Sequence, residues 1–418
     1  MRRITMLKSK QILIAALAAL LGALSLPAQD NGLTLDKALE IALLQNPEVL
    51  AAKAELEAAR GRSLQLGARP EPLLSGSFEG VPLPGSKKEG DQTEIHLGIQ
   101  QVLEYPGKRS LRKEIGQQGE GLADAEFARV TQIVFSKVKK AYWRAVFARE
   151  AETALEKSAN SLAYLLADLE AKYRSGGAEY ADIIRIRAEK ARLQNLILEQ
   201  GRERQAAGLE LSNLLGRSFG EPPDLLTRLP FEPISADVEG LWESARTTRP
   251  SFKIAALRME RAGTVSKLAR LNRRPDFVAG LLFPSVRTNA WGVSFGMTMP
   301  FLRPSRAKGQ IMEAGAEAAI AQLASDALAR RVRTAIESTY ASAKAAEKQV
   351  LVYEQSLLRE LEDEIRIQLE YFRYGKVEAF SLLDLHRTFV LAQIEHLRAR
   401  FLYNIALADL EVAGEEAN

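Results

Sequence analysis

The chain has 418 residues, 46% hydrophobic and 26% charged, which excludes a disordered chain and leaves room for more than one structural unit. A formal net charge of +4 is a small excess of interleaved Lys and Arg over Asp and Glu, the mark of solvated helix faces and not of a nucleic-acid surface. The absence of cysteine excludes disulfides, thiolate metal sites, thiol nucleophiles and an acylated N-terminal cysteine.

Residues 1–28 read as an export signal. Arg2, Arg3, Lys8 and Lys10 precede the apolar run Ile12–Leu26, with cleavage expected near Ala28. A run of about 15 residues is short of the ~20 that a membrane helix needs. No later run is longer, so any entry into a membrane would have to be made with strands.

Thr34-Leu35-Asp36 begins a helix, with Thr34 as cap and a carboxylate in the first turn. Asn46-Pro47 breaks and restarts it, and Arg69-Pro70-Glu71-Pro72 ends it. A strand is expected over Leu73–Glu79, a loop over Gly80–Asp91 and a second strand over Thr93–Leu103. After Tyr105-Pro106-Gly107 comes a proline-free rod, Gly107–Lys172. Val134, Ala141, Ala148, Leu155, Leu162 and Leu169 recur in it every seventh residue, a coiled-coil seam. Such a rod is ~100 Å long at 1.5 Å per residue. A helix over Tyr180–Leu215 runs back.

The plan then repeats after a proline-rich linker at 218–235. Ser235-Ala236-Asp237 corresponds to Thr34-Leu35-Asp36, Arg249-Pro250 to Asn46-Pro47, and Arg274-Pro275 to Arg69-Pro70. Strands are expected over Phe277–Phe283 and Asn289–Met299. A second rod, Ser305–Tyr371, carries Ile336, Ala343, Val350 and Leu357, and the helix Ser381–Glu411 returns. The chain therefore divides into repeats at 33–217 and 236–413, with a tail at 414–418. In the first repeat the opening helices and the returning helix together match the rod in length, so they would stack end to end beside it.

Ile95, Leu97 and Ile99 form one strand face, and Trp291, Val293, Phe295 and Met297 another, opposite small or polar residues. This suits a half-buried sheet in a soluble domain or the wall of a membrane barrel with those seven side chains towards lipid. Export and the lack of a membrane helix favour the barrel. Four strands cannot close one, since about eight is the practical minimum. Copies must then pool their strands, and strand arithmetic allows two copies or three.

The duplicated plan resembles the TolC-like outer-membrane efflux family over about Leu33–Ala413. The resemblance rests on Thr34-Leu35-Asp36-Lys37-Ala38-Leu39 with Asn46-Pro47, on Tyr173-Arg174-Ser175-Gly176 leading to Asp182-Ile183-Ile184, and on Phe372-Arg373-Tyr374-Gly375 leading to Ser381-Leu382-Leu383. It implies a mainly α fold with a small β part: an α-barrel of long antiparallel helices across the periplasm, under a trimeric twelve-stranded β-barrel in the outer membrane. It implies a homotrimer that works with a periplasmic adaptor and an inner-membrane pump as the exit duct of a tripartite exporter. Lack of cysteine excludes the lipid-anchored subset. The overall pattern is similar to the branch associated with heavy-metal exporters, although six Met, three His and no Cys offer no evident metal path.

Tyr173, Gly176, Gly177, Glu179 and Asp182, with Tyr374, Gly375 and Glu378, then fall at the periplasmic mouth. Gly176 and Gly375 supply left-handed turns. The carboxylates either serve a gate or adaptor contact or are favoured by helix N-termini. Gly292-Val293-Ser294-Phe295-Gly296 fits G-x-S-x-G, but it lies inside an alternating strand and not on a strand-to-helix elbow. His386 and His396 are about 80° apart around a helix and some 15 Å apart along it, too far to share a metal. His96 falls on the small, polar strand face. There is no H-E-x-x-H, Walker A or G-x-G-x-x-G. The expectation is a passive conduit that is not an enzyme and has no cofactor or metal. A soluble exported coiled-coil scaffold or periplasmic adaptor is the alternative.

Overall fold

The computed structural model of the chain describes residues 32–79, 94–217, 223–284, 289–302 and 304–415. The expected export signal and the whole of the Gly80–Asp91 loop lie outside the described residues. Helices α1 (Leu35–Gln45) and α2 (Pro47–Gly67) lead to strands β1 (Leu73–Glu79) and β2 (Glu94–Leu103). Helix α3 (Lys108–Arg174) and the returning α4 (Tyr180–Leu214) follow. The same order recurs as α5 (Val238–Thr248), α6 (Pro250–Leu271), β3 (Phe277–Leu282), β4 (Gly292–Met297) and a second rod.

The seam of α3 is buried throughout: Val134, Ala141, Ala148, Leu155, Leu162 and Leu169 are each at most 3% exposed. The second rod differs from its expected continuity. It is α7 (Pro304–Val352), a π-helical turn (Tyr353–Leu357) and α8 (Leu358–Arg373), before α9 (Ala379–Glu411) returns. Ile336, Ala343 and Val350 are fully buried, but Leu357 turns outward. A π turn inserts one extra residue into the helical register. The seam accordingly resumes one residue later, on Leu358, Ile365 and Phe372.

Both repeats stack a returning helix on an opening helix, as their lengths require. In the first, Asn46 Oδ1 accepts from the N–H groups of Glu48 (2.8 Å) and Val49 (3.1 Å), and its Nδ2 donates to the Leu214 carbonyl (2.7 Å). One amide thus caps α2 and ties it to the end of α4. At the matching joint, buried Arg249 donates from Nη2 to the Leu410 carbonyl at 3.0 Å. Ser251 Oγ donates to Glu415 at 2.8 Å. The cap that opens the second repeat is Asp237, which accepts from Gly240 N–H at 2.9 Å, two residues later than the match with Thr34 implies.

The strands form a single antiparallel sheet in the order β1-β2-β3-β4. The hairpins of the two repeats are joined because β2 pairs with β3 from Gly98↔Leu282 to Leu103↔Phe277. β4 is shorter than expected. Trp291 stands just before it and meets Phe283 edge-on, with ring centres 5.4 Å apart. The helices follow the strands in the same sequence, α2 against α3, α3 against α6, α6 against α7.

Candidate functional site

The far end of the helices is built from two matching turns. Gly176 and Gly375 have φ of 80° and 71°, the left-handed conformation that an L side chain resists. Gly177 N–H donates to Lys172 O (2.8 Å) and Gly176 N–H to Tyr173 O (3.0 Å). Lys376 N–H donates to Tyr371 O (2.9 Å) and Gly375 N–H to Phe372 O (3.0 Å). Each pair is a Schellman closure, which satisfies the last carbonyls of its helix. Glu179 and Glu378 then open the returning helices in extended conformation, and neither carboxylate caps its helix. Asp182 sits in the first turn of α4, paired with Arg185 at 3.0 Å. Tyr173 packs on Tyr180 with ring centres 5.7 Å apart, and Tyr374 is exposed.

Side chains from opposite repeats lock these turns together. Lys172 Nζ lies 4.0 Å from the centre of the Phe372 ring and donates to the Phe372 carbonyl at 2.8 Å. The Arg185 guanidinium lies over Phe380 at 5.4 Å. Behind the turns, Leu165, Leu169, Ile183, Ile186, Phe372, Leu382 and Leu383 form a buried cluster. Deeper still, Glu189 of α4 is buried and accepts from Arg387 Nε of α9 (2.7 Å) and Arg192 Nη1 (3.0 Å). Two guanidiniums offset the cost of burying that carboxylate. Next to it, burial pushes the His386 pKa below its ordinary value, against a smaller upward pull from Glu189. His396 is elsewhere, beside Glu354 of the π turn at 3.3 Å. The two histidines do not meet. Among the described residues no group of three or more His, Cys, Asp or Glu side chains could hold a metal.

The sequence could not show the Lys172–Phe372 and Glu189–Arg387 contacts, because each joins residues about 200 positions apart. The doubled turn signal was legible; the latch between the two turns was not.

At the other end, Ile95, Leu97, Ile99, Val293, Phe295 and Met297 are exposed on one sheet face. The register aligns Ile99 with Leu281 and Leu281 with Val293, so the apolar surface is continuous across strands. Phe295 is 84% exposed, a state no water-facing sheet favours. Gln101 interrupts this face, and its Nε2 is satisfied by the Pro70 (2.7 Å) and Val102 (3.1 Å) carbonyls. Ser75, His96, Gly98, Gln100 and Ser294 take the other face. Ser294 stands opposite Gly280 in mid-strand, which is no place for a hydrolase nucleophile.

The seam between strands and helices is charged. Lys108, buried, donates from Nζ to Asp276 Oδ1 (2.8 Å) and to the Arg274 carbonyl (2.9 Å). The same Oδ1 accepts from Tyr105 N–H at 2.8 Å. Arg112 pairs with Glu104 and donates to the Leu66 and Ala68 carbonyls, while Arg109 donates to Gly67 O. These cations stabilise the negative end of α2.

The family model for outer membrane efflux proteins matches residues 38–217. The cobalt-zinc-cadmium resistance protein CzcC of Cupriavidus metallidurans is 24% identical over 373 residues, 87% of this chain and 86% of that protein. Among solved structures, the open-state MtrE outer membrane channel of Neisseria gonorrhoeae matches with a TM-score of 0.75 at 19% identity, over 91% of this chain and 88% of that one. The outer membrane protein VceC of Vibrio cholerae matches with a TM-score of 0.72 at 19% identity, over 91% and 96%.

Proposed function

Because residues 38–217 match the outer membrane efflux protein model and the fold matches solved outer-membrane channels, we propose that the chain belongs to that family and serves as the exit duct of a tripartite exporter, three copies forming one channel. The observation that carries this reading is the sheet. It has an exposed apolar face and two outer strands, β1 and β4, each with a partner on one side only among the described residues. Pairing β4 of one copy with β1 of the next closes a wall without edges. The helices end in the same way. The outer pair, α2 and α7, expose Leu50 and Leu64 on one and Met312, Ile320 and Leu323 on the other. Sheet and helical wall therefore close at the same boundary between copies.

The duct is passive. An inner-membrane pump supplies the energy and a periplasmic adaptor meets the mouth at Tyr173, Gly176, Gly177, Glu179 and Asp182 and at Tyr374, Gly375 and Glu378. Adaptor docking shifts the returning helices and parts the Lys172–Phe372 latch, a two-state element of the kind such switches use. No residue has a catalytic role in this reading. The name of the CzcC relative makes cobalt, zinc and cadmium ions the first cargo to test, by growth of a strain lacking this gene on each salt.

The decisive experiment is conductance in planar lipid bilayers. The folded oligomer is expected to form channels, and Lys172→Ala to raise the open fraction severalfold. A folded oligomer that stays in the soluble periplasmic fraction and conducts nothing would favour the scaffold or adaptor reading instead.

A further inference from the structure

Directly below β3 and β4 lies a cavity of about 810 Å³ between the end of α6 and the start of α7. Arg270, Arg273, Arg274 and Lys308 line it, together with Ser305, and no carboxylate does. Among the described residues, Arg270, Arg273 and Lys308 have no acidic partner. Asp276, the carboxylate next along the chain, is engaged by Lys108. Arg274 rests over the Tyr105 ring at 5.9 Å. The first turn of α7 holds no acidic residue, so its unpaired N–H groups add positive potential to the same space. Basic residues at the end of α6 are favoured by its dipole, but Lys308 near the start of α7 is opposed by its own. Arg270, Arg273 and Lys308 are all exposed, so water and salt screen them, and an anion in the shared cavity would be attracted by all of them at once.

The position tells which anion. Lys308 and Arg333 lie about 20° apart around the α7 axis at 100° per residue. Arg333 lies over Trp242 of α5 at 5.7 Å and bonds Glu239, so α5 packs on that flank. A duct needs a clear bore, which puts α5, and with it Lys308, on the outside of the wall. Just above the cavity stand exposed Leu302 and Met299, and above them the apolar face carrying Phe295. Cations beneath a greasy wall fit an amphipathic anion.

We propose that this cavity binds the phosphate of an anionic lipid head group at the periplasmic face of the outer membrane, with the acyl chains rising along Leu302 and Met299. The inference rests on the outer-membrane reading above and adds a lipid site to it. Each basic residue near an anionic lipid contributes about fivefold in affinity, so removing three costs on the order of a hundredfold.

Native mass spectrometry of the detergent-solubilised oligomer tests this with phosphatidylglycerol, phosphatidylcholine and inorganic phosphate as probes. Wild type is expected to retain phosphatidylglycerol over the other two, and less of it as salt rises. Arg270→Ser/Arg273→Ser/Lys308→Ser is expected to lose it, Arg270→Lys/Arg273→Lys to keep it, and Arg366→Ser on the distant α8 to be silent. Equal retention by the triple Ser variant overturns the proposal. So does inorganic phosphate binding as tightly as the lipid, and so does a change in the channel's ion selectivity with lipid binding intact, which would put the cations in the bore. Conductance of the same preparation is read separately. Channels without lipid preference sink only the lipid site, whereas absence of channels sinks the duct.

Discussion

The two repeats share one plan and handle charge in opposite ways. In the first, Arg112–Glu104 neutralises the strand–helix seam, Lys108 pairs with Asp276 lent by the second repeat, a neutral amide closes the helix joint, and the rod is unbroken. In the second, Arg270, Arg273 and Lys308 are left without acidic partners, a buried guanidinium closes the joint, and the rod carries a π turn. The first half is a strut. The second carries the interruption in its rod and the cation-lined cavity.

The strongest way to break this contrast is Asp276→Asn. It strips the buried Lys108 of its counter-charge and is expected to cost about 3 kcal/mol, read as a lower unfolding midpoint of the detergent-solubilised protein. Next comes the joint. Asn46→Ala removes a helix cap and the bond to Leu214 together, at about 2 kcal/mol. Arg249→Asn copies the first joint into the second. It loses the Leu410 bond but gives α6 the side-chain cap it lacks and relieves a guanidinium whose pKa burial holds down, so a net change within about 1 kcal/mol is expected.

The smallest effect is on pH. Burial holds His386 and His396 below their ordinary pKa of 6.5, so the native state keeps them neutral while the unfolded chain protonates near that value. Their contribution is complete above pH 6.5 and is lost as pH falls below it. Glu354 is pulled up by burial, but Arg400 and then His396 outweigh this and hold it below its ordinary 4.5. Its contribution persists above 4.5 and is lost as pH falls through its depressed native value. All three groups belong to the second repeat, so amide protection factors in α8 and α9, corrected for the intrinsic exchange rate at each pH, should fall between pH 7.5 and 5.5 while those in the middle of α3 hold. His396→Gln should flatten part of that response.

Most of the fold was legible in the sequence because prolines, glycines and heptads act locally. Pro47, Pro250, Gly176 and Gly375 mark breaks and turns through their own backbone chemistry, and the α3 seam announces itself every seventh residue. The π turn was not legible. Leu357 continues the spacing by seven, and only the packing of Leu358, Ile365 and Phe372 shows that the register has slipped. At the helix turns, the glycine signals could be read but the Lys172–Phe372 contact between them could not, since cation–ring contacts have no sequence period. On the sheet, alternation identified the apolar face, while Gln101 breaks it for a reason found only in the Pro70 carbonyl.

A sheet whose outer strands, β1 and β4, have one partner each among the described residues also sets the terms of assembly. Until its neighbours arrive, each newly made copy offers the outer amides of β1 and β4 to any extended peptide nearby. Yield should therefore depend on how quickly nascent chains find one another, and an excess of orphans over docking sites would precipitate instead of waiting. The geometry that would leave no seam in the proposed ring makes every lone subunit an adhesive.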